Sequence, residues 1–238
     1  MAEASGEKYR RIFSEYDPVF VDAVSSAALS CNLNFFLKKE QMHALSEYVI
    51  GKDVVVNLPT GYGKSLIYSL CPLVCDNLRN VNSKKERSML LLIYPLTALM
   101  DDKILSLAQL GLSSLKLTPN VSEVDISRIE SGDIQVIILS PESFECVVVK
   151  RTLQSAKKRT HCVVIDEAHC IEEWSVLTYT KLHNCVKFLD CVFFFMFLVT
   201  FSPLDAANTS PLLATGADCS ESLFTQTFFA SGDSPVGR

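Results

Sequence analysis

The chain has 238 residues and a formal net charge of −5, with 48% hydrophobic and 21% charged residues. These proportions are close to those of globular proteins, so they exclude wholesale disorder, and nine Gly with nine Pro exclude a collagen-like or low-complexity chain. The mild acidity excludes a histone-like mode of nucleic-acid binding. It does not exclude nucleic acid as a partner, because a local basic strip can bind it on an acidic protein.

The nine cysteines and the opening residues bear on the compartment in which the chain works. The opening residues are polar and charged with no apolar signal segment behind them, and most cysteines lie within apolar runs. We therefore expect buried thiols in a reducing compartment and a protein that is not secreted. Cys71 and Cys75 are four positions apart, but no second Cys/His pair has finger spacing, so we expect no zinc.

Five short apolar runs predict β-strands over 53–58, 89–94, 114–117, 135–139 and 162–166. Continuous rather than alternating apolar runs are typical of strands covered on both faces, as in a parallel sheet. Helix-length stretches between these runs predict helices over 64–78, 97–110, 122–131 and 142–157, and a polar segment predicts a connecting loop over 80–87. This alternation predicts an α/β fold with a doubly wound, mostly parallel sheet and right-handed crossovers.

The pattern changes near position 176. Nine of the fourteen Phe lie between 188 and 229, and 191–201 is almost wholly apolar. Because a membrane-spanning helix needs ~20 apolar residues, we predict a buried strand in this run and no membrane role. The Ser-, Thr-, Ala- and Pro-rich residues 202–238 are expected to be weakly ordered.

The segment after the first predicted strand combines two glycines with a Lys-Ser pair and precedes a predicted helix, an order that indicates a phosphate-binding loop. Gly61 and Gly63 let successive backbone amides point at phosphate oxygens, and the helix N-terminus adds its dipole. Lys64 is placed to reach the β- and γ-phosphates of ATP, and Ser65 to ligate Mg²⁺. The strict pattern has Gly at the position of Leu58, so an ordinary Gly-rich turn is the less favoured alternative. The candidate nucleotide-binding residues of the loop are Pro59, Thr60, Gly61, Tyr62, Gly63, Lys64 and Ser65.

A second motif places two acids, Asp166 and Glu167, directly after the fifth predicted strand. Ligands of open α/β sheets bind at the carboxyl edge of the strands, where these residues are expected to lie. Asp166 is a candidate Mg²⁺ ligand, usually through water, and Glu167 a candidate for polarising the attacking water. With Lys64 they form the predicted catalytic set, whereas an Asp-Glu pair alone would usually be a solvated turn.

These residues carry a resemblance to a known family. The loop from Thr60 to Ser65 together with Asp166-Glu167-Ala168-His169 resembles the superfamily 2 helicases of the DEAH type. The longer run Asp166-Glu167-Ala168-His169-Cys170-Ile171-Glu172-Glu173-Trp174 resembles the RecQ DNA helicases, in which Cys-Ile and Trp follow the acidic motif.

Further motifs match the same family in the same order. The segment from Tyr94 to Asp102 resembles a strand-end motif that contacts the DNA backbone, and Ser140-Pro141-Glu142 resembles the next such motif. Gln41 is similar to the family's adenine-reading Gln and precedes Lys64 by the 23 residues that the family layout expects. By the resemblance, His169 couples the nucleotide to the DNA motifs, and the candidate DNA-binding residues are Pro95, Leu96, Thr97, Ser140, Pro141, Glu142 and Trp174.

The resemblance implies a P-loop NTPase fold over 35–175, the first of two RecA-like domains, between an N-terminal extension over 1–34 and a divergent tail over 176–238. It implies an ATP- and Mg²⁺-dependent 3'-5' DNA helicase acting at single-strand/duplex junctions, in the nucleus or alternatively the cytoplasm. Its second RecA-like domain is expected to be missing from these 238 residues, which are then a fragment. A P-loop ATPase that does not act on DNA and a non-catalytic nucleotide- or DNA-binding fragment are the alternatives.

Three positions depart from the family pattern. Lys38 replaces the usual Arg, Lys103 replaces the usual Gln, and Ser175 begins a segment unlike the family's Gly-His-Asp-Phe-Arg. The basic run at 157–159 is expected to be a solvated helix face, with a DNA-facing patch or a nuclear signal as the less favoured alternatives.

Overall fold

The computed structural model describes residues 2–94, 97–166, 197–201 and 227–230. Within these ranges the chain alternates between helices and strands. The elements are α1 (Ala2–Ile12), α2 (Pro18–Ser30), α3 (Lys39–Val49), β1 (Val54–Asn57), α4 (Lys64–Arg79), β2 (Met89–Ile93), α5 (Met100–Gln109), β3 (Ser114–Lys116), α6 (Glu123–Ser131), β4 (Val136–Leu139), α7 (Val147–Ser155), β5 (Thr160–Ile165), β6 (Phe197–Phe201) and β7 (Thr227–Ala230).

The seven strands form one sheet in the order β3-β4-β2-β5-β6-β1-β7. Every hydrogen-bonded strand pair that the structure describes is parallel. The predicted α/β fold with a parallel sheet is therefore confirmed. Because parallel strands all end at the same edge, the residues that follow β1, β2, β4 and β5 are brought to one side of the molecule.

Alternate residues of each strand enter two separate cores, one on each face of the sheet. Leu90 and Leu92 of β2 join a core with residues of α1 to α5, whereas Leu91 and Ile93 join a core with residues of α6 and α7. All five residues of β2 are buried. This double covering explains why the strand sequences are continuously apolar instead of alternating.

The predicted elements agree with the structure except in a few places. The predicted helix over 142–157 is wrong at its start: a 3-10 turn at Pro141–Glu145 buries Phe144, and Cys146 has extended backbone angles before α7 begins. The predicted helix over 97–110 likewise begins with a 3-10 turn at Thr97–Leu99. The polar connection at 80–87 contains a further 3-10 turn, Lys84–Glu86.

The residues that the structure describes beyond position 176 belong to two strands. The strand predicted within 191–201 is confirmed as β6, which pairs with both β1 and β5. Within 202–238, for which weak order is expected, the described residues form strand β7, which pairs with β1 in the sheet. The two helices within 1–34 also contribute to the first core, since Phe20 and Val24 of α2 belong to it.

The basic run at 157–159 is a 3-10 turn, and its last residue is not solvated as the sequence suggested. Arg159 is buried, and its guanidinium donates to the backbone carbonyls of Arg87 (3.0 Å), Ile134 (2.9 Å) and Ile129. These bonds satisfy a buried charge at the amino edge of the sheet, opposite the carboxyl ends of the strands. In the described residues no helix combines the length and the apolar character that crossing a membrane requires.

Candidate nucleotide-binding site

The loop between β1 and α4 has the backbone that its glycines permit. Gly61 has φ of +78° and Gly63 has φ of +92°, both in the left-handed region that favours glycine. Helix α4 begins at Lys64, so the backbone amides of its first turn point toward this loop. Leu58, at the position where the strict pattern has Gly, is fully buried and fixes the start of the loop in the core.

Lys64 lies across this loop. Its Nζ donates to the carbonyl oxygen of Leu58 at 2.8 Å, so the ammonium group is held above the curl of the backbone. A charged donor in this position next to a helix N-terminus creates a positive site for an anionic ligand. The predicted loop therefore has the conformation and the charge that phosphate binding needs.

Gln41 lies in the first turn of α3 and holds the loop from outside. Its Nε2 donates to the carbonyls of Tyr62 and Gly63, both at 3.2 Å, and its Oε1 accepts from the backbone N–H of Lys38 at 2.9 Å. The side chain thus joins the start of α3 to the phosphate-binding loop. A role in reading adenine remains a prediction for this residue.

Lys38 and Glu40 complete the contact between α3 and the loop. The Lys38 ammonium lies 3.6 Å from the centre of the Tyr62 ring, a cation–π arrangement. Hydrogen bonding to Glu40 raises the pKa of the Tyr62 phenol, because the carboxylate stabilises the protonated form. A partly buried aromatic ring is thereby held at the loop.

Replacing Gly63 by alanine is expected to lower both folding stability and ATP affinity. A Cβ at this position would lie 2.6 Å from Nε2 of Gln41, and the residue would retain a left-handed φ, which costs roughly 1–2 kcal/mol outside glycine. Moving Gln41 away breaks its two bonds to the loop, each worth about 0.5–1.5 kcal/mol. Urea unfolding and calorimetric titration with ATP measure the two losses.

Gly61→Ala is the matched control for this substitution. Its φ is also positive, but a Cβ there meets no atom within 4 Å. We expect Gly61→Ala to show the backbone cost alone, so equal losses in the two variants would contradict the role assigned to Gln41.

Asp166 follows β5 at the same edge of the sheet and is 4% exposed. Its Oδ2 accepts from the Tyr68 hydroxyl at 2.6 Å and lies 3.2 Å from Nζ of Lys103. Its backbone N–H donates to the carbonyl of Ile93 in the neighbouring strand β2. The carboxylate is therefore fixed in position by its own backbone and by two side chains.

Tyr68 joins the two motifs, which are 102 residues apart in the sequence. It lies one turn into α4, where its hydroxyl interacts with Ser65 as well as with Asp166. Burial, with the nearby charge of Asp166, raises the pKa of Tyr68 well above its usual value, so the phenol remains a hydrogen-bond donor. The structure thus places the hydroxyl of Ser65 and the carboxylate of Asp166 around one shared neighbour.

The donor set at this point fits Mg²⁺. A hydroxyl and a carboxylate are the hard oxygen ligands that this ion takes, and nucleotide sites commonly supply only one or two of them beside substrate phosphates and water. Ser65 and Asp166 are the residues that would hold the ion.

Lys103 is the residue of this site whose position the sequence did not predict. It lies in the first turns of α5, is 14% exposed in its side chain, and has Nζ 5.3 Å from the Tyr68 ring centre and 5.4 Å from that of Tyr94. The only signal in the sequence is a lysine where the related motif usually has Gln.

The candidate DNA-binding residues divide by exposure. Thr97 and Glu142 are exposed in the 3-10 turns after β2 and β4, whereas Ser140 and Pro141, at the start of the second turn, are buried. Since β2 and β4 are neighbours in the sheet, the two turns lie side by side. Five other candidates lie outside the described residues, namely Pro95, Leu96, Glu167, His169 and Trp174.

Comparison with known families identifies the family of this chain. A family model described as DEAD/DEAH box helicase matches residues 38–202, well over half of the chain. The chain belongs to the DEAD/DEAH box helicase family. The family that the motifs predicted is thereby confirmed, and the match includes both the phosphate-binding loop and Asp166.

Individual relatives are DNA helicases by name. The chain is 32% identical over 171 residues to the ATP-dependent DNA helicase hus2/rqh1 of Schizosaccharomyces pombe, covering 66% of this chain and 12% of that protein. It is 33% identical over 140 residues to the probable ATP-dependent DNA helicase RecS of Bacillus subtilis, covering 58% of this chain and 26% of that protein. The chain therefore spans only 12% and 26% of the lengths of these two relatives.

Solved structures share the fold. The DUF1998 helicase MrfA bound to DNA superposes with a TM-score of 0.58 at 18% identity, over 76% of this chain and 26% of that one. The DEAD-box helicase Mss116 bound to ssRNA and UDP-BeF superposes with a TM-score of 0.60 at 13% identity, over 81% of this chain and 39% of that one. At these identities the likeness shows a shared α/β fold and no more.

Proposed function

We propose that this chain is the nucleotide-binding part of a RecQ-type ATP-dependent DNA helicase with 3'-5' polarity. The observation that carries the proposal is the convergence of the Gly-Lys-Ser loop and Asp166 around the Tyr68 hydroxyl. The similarity to relatives named as ATP-dependent DNA helicases supports DNA as the partner. By the same similarity we propose work at single-strand/duplex junctions in DNA repair and recombination, in the nucleus.

Each residue of the site has a proposed task with ATP. The amides of the loop and the Lys64 ammonium bind the β- and γ-phosphates, and Gln41 keeps the loop in its binding conformation. Ser65 and Asp166 would hold Mg²⁺, which would supply positive charge to offset that of the phosphates. Asp166 orients the water shell on this side of the site, and Glu167, the next residue, accepts the proton of the attacking water.

The DNA is proposed to cross the turns at Thr97–Leu99 and Pro141–Glu145. Both follow strands that end at the edge where the phosphate-binding loop lies, so bound nucleotide and bound DNA would share one edge of the sheet. Glu142 is exposed there and would repel phosphates, which favours the turn backbone over this side chain as the donor of contacts. Trp174, Pro95 and Leu96 complete the proposed surface by resemblance.

The chain is expected to bind single-stranded DNA with an affinity that falls as salt rises. Each phosphate contact releases counterions, and for single strands log K falls with log salt by about 0.7 per contact. Fluorescence anisotropy with a labelled oligonucleotide between about 50 and 200 mM salt measures the slope. A peptide nucleic acid of the same base sequence, which lacks phosphates, is the matched control.

The outcomes separate the proposal from its alternatives. DNA binding together with ATP hydrolysis that DNA stimulates supports the helicase assignment. ATP hydrolysis without DNA binding or stimulation indicates an ATPase that does not act on DNA, and binding of both ligands without hydrolysis indicates a non-catalytic binding role for these 238 residues.

A further inference from the structure

The ammonium group of Lys103 forms an ion pair with the carboxylate of Asp166, a proposed Mg²⁺ ligand of the ATP site. Nζ of Lys103 is 3.2 Å from Oδ2 of Asp166, the same oxygen that accepts from the Tyr68 hydroxyl. Both partners are largely removed from solvent, with 14% of the lysine side chain and 5% of the aspartate side chain exposed. This pair differs from the surface ion pairs of the chain, whose energies solvent screens.

The surroundings of Lys103 keep its charge close to Asp166. The faces of Tyr68 and Tyr94 lie 5.3 and 5.4 Å from its Nζ and attract a cation through their quadrupoles. A largely buried carboxylate is stable only with a charged or hydrogen-bonding partner, and removing one member of such a pair leaves an uncompensated charge. Lys103 is therefore an integral part of the site.

We propose that Lys103 supplies Asp166 with a built-in positive charge that competes with magnesium, so that nucleotide binding here depends only weakly on Mg²⁺. This inference rests on the proposed function, since it concerns the same ATP site. Two effects of the ammonium group both reduce the dependence of ATP binding on Mg²⁺. The ammonium group takes the lone pairs that metal-bound water would use, which weakens the gain from Mg²⁺. It also offsets the repulsion between Asp166 and the triphosphate, which strengthens binding of metal-free ATP.

A neutral residue at position 103 is then expected to restore the magnesium requirement. Calorimetric titration gives the dissociation constant of ATP with Mg²⁺ and with EDTA, and the ratio of the two is the readout. Lys103→Gln is expected to raise this ratio about tenfold or more, the effect of one charge-assisted contact. Lys103→Met, whose side chain is also unbranched but carries no charge, is expected to do the same and serves as the second variant if the first folds poorly.

Two control variants test whether the change in the ratio is due to the charge at position 103. Lys103→Arg keeps the charge and is expected to retain the ratio of the wild-type chain. Lys116→Gln removes a more exposed Lys–Asp pair, with Asp101 at 3.7 Å, and is expected to leave the ratio unchanged.

The results distinguish the inference from the function on which it rests. If ATP binds and the ratio in both neutral variants stays within about twofold of wild type, the inference is wrong and the ATP site stands. If ATP binds neither with Mg²⁺ nor with EDTA, the proposed function is wrong and the inference is overturned with it. A raised ratio in Lys116→Gln would also overturn it, because the effect would then be unspecific.

Discussion

Replacing Lys64 by alanine is expected to weaken binding of ATP with Mg²⁺ by about ten- to a hundredfold. The residue opens α4, and its Nζ lies above the loop with its hydrogen bond directed to the Leu58 carbonyl at 2.8 Å. Binding exchanges this bond to a neutral carbonyl for bonds to anionic phosphate oxygens, each worth ~1.5–3 kcal/mol. Removing the side chain loses that gain, while the loop glycines and Gln41 keep the backbone in place.

Calorimetry on the wild-type and variant chains measures this loss directly. Lys85→Ala is the matched control, because that lysine is exposed in the 3-10 turn between α4 and β2. It removes the same charge at a distance from the loop and is expected to leave the affinity unchanged. Equal ATP affinity in wild type and Lys64→Ala would refute the assignment of the loop.

The parts of the fold that follow from local chemistry were predictable from the sequence. Strands β1, β2, β4 and β5 are continuous apolar runs because helices cover both faces of the sheet, so each run is visible without its neighbours. Strand β7 is a four-residue strand in a Ser- and Thr-rich segment, and only its pairing with β1 defines it. Because this pairing joins residues that are far apart in the sequence, the local sequence pattern does not reveal it.

The candidate site likewise has features that follow from the local sequence and features that depend on how distant elements pack. The positive φ values of Gly61 and Gly63 follow from residue type and spacing, and the position of Asp166 follows from its place after a strand. The contacts of Gln41 with the loop carbonyls, and of Lys103 with Asp166, join elements 22 and 63 residues apart and depend on how α3 and α5 pack. The family resemblance identified Gln41 as a site residue, but it did not indicate that Lys103 contacts Asp166.

Replacing Glu167 by glutamine is expected to lower DNA-stimulated ATP hydrolysis by ~10²–10⁴-fold, the usual contribution of a general base. Glu167 lies outside the described residues, so the expectation rests on its neighbour. The backbone N–H of Asp166 donates to the Ile93 carbonyl, which fixes the chain at the end of β5 immediately before Glu167. This end of β5 lies at the carboxyl edge of the sheet, the edge at which the loop proposed to bind the phosphates also lies.

The substitution keeps the shape of the side chain and removes only its ability to accept a proton. It should therefore affect ATP hydrolysis without affecting ATP binding. ATP affinity is expected to stay within about twofold of wild type while the turnover rate falls, the signature of a group that acts only in the transition state. Glu130→Gln, at an exposed position of α6, is the control and should change neither quantity. Turnover is followed by phosphate release with saturating single-stranded DNA, and affinity by calorimetry. Unchanged turnover would remove Glu167 from the mechanism, and a parallel loss of affinity would show that it binds the nucleotide instead of activating water.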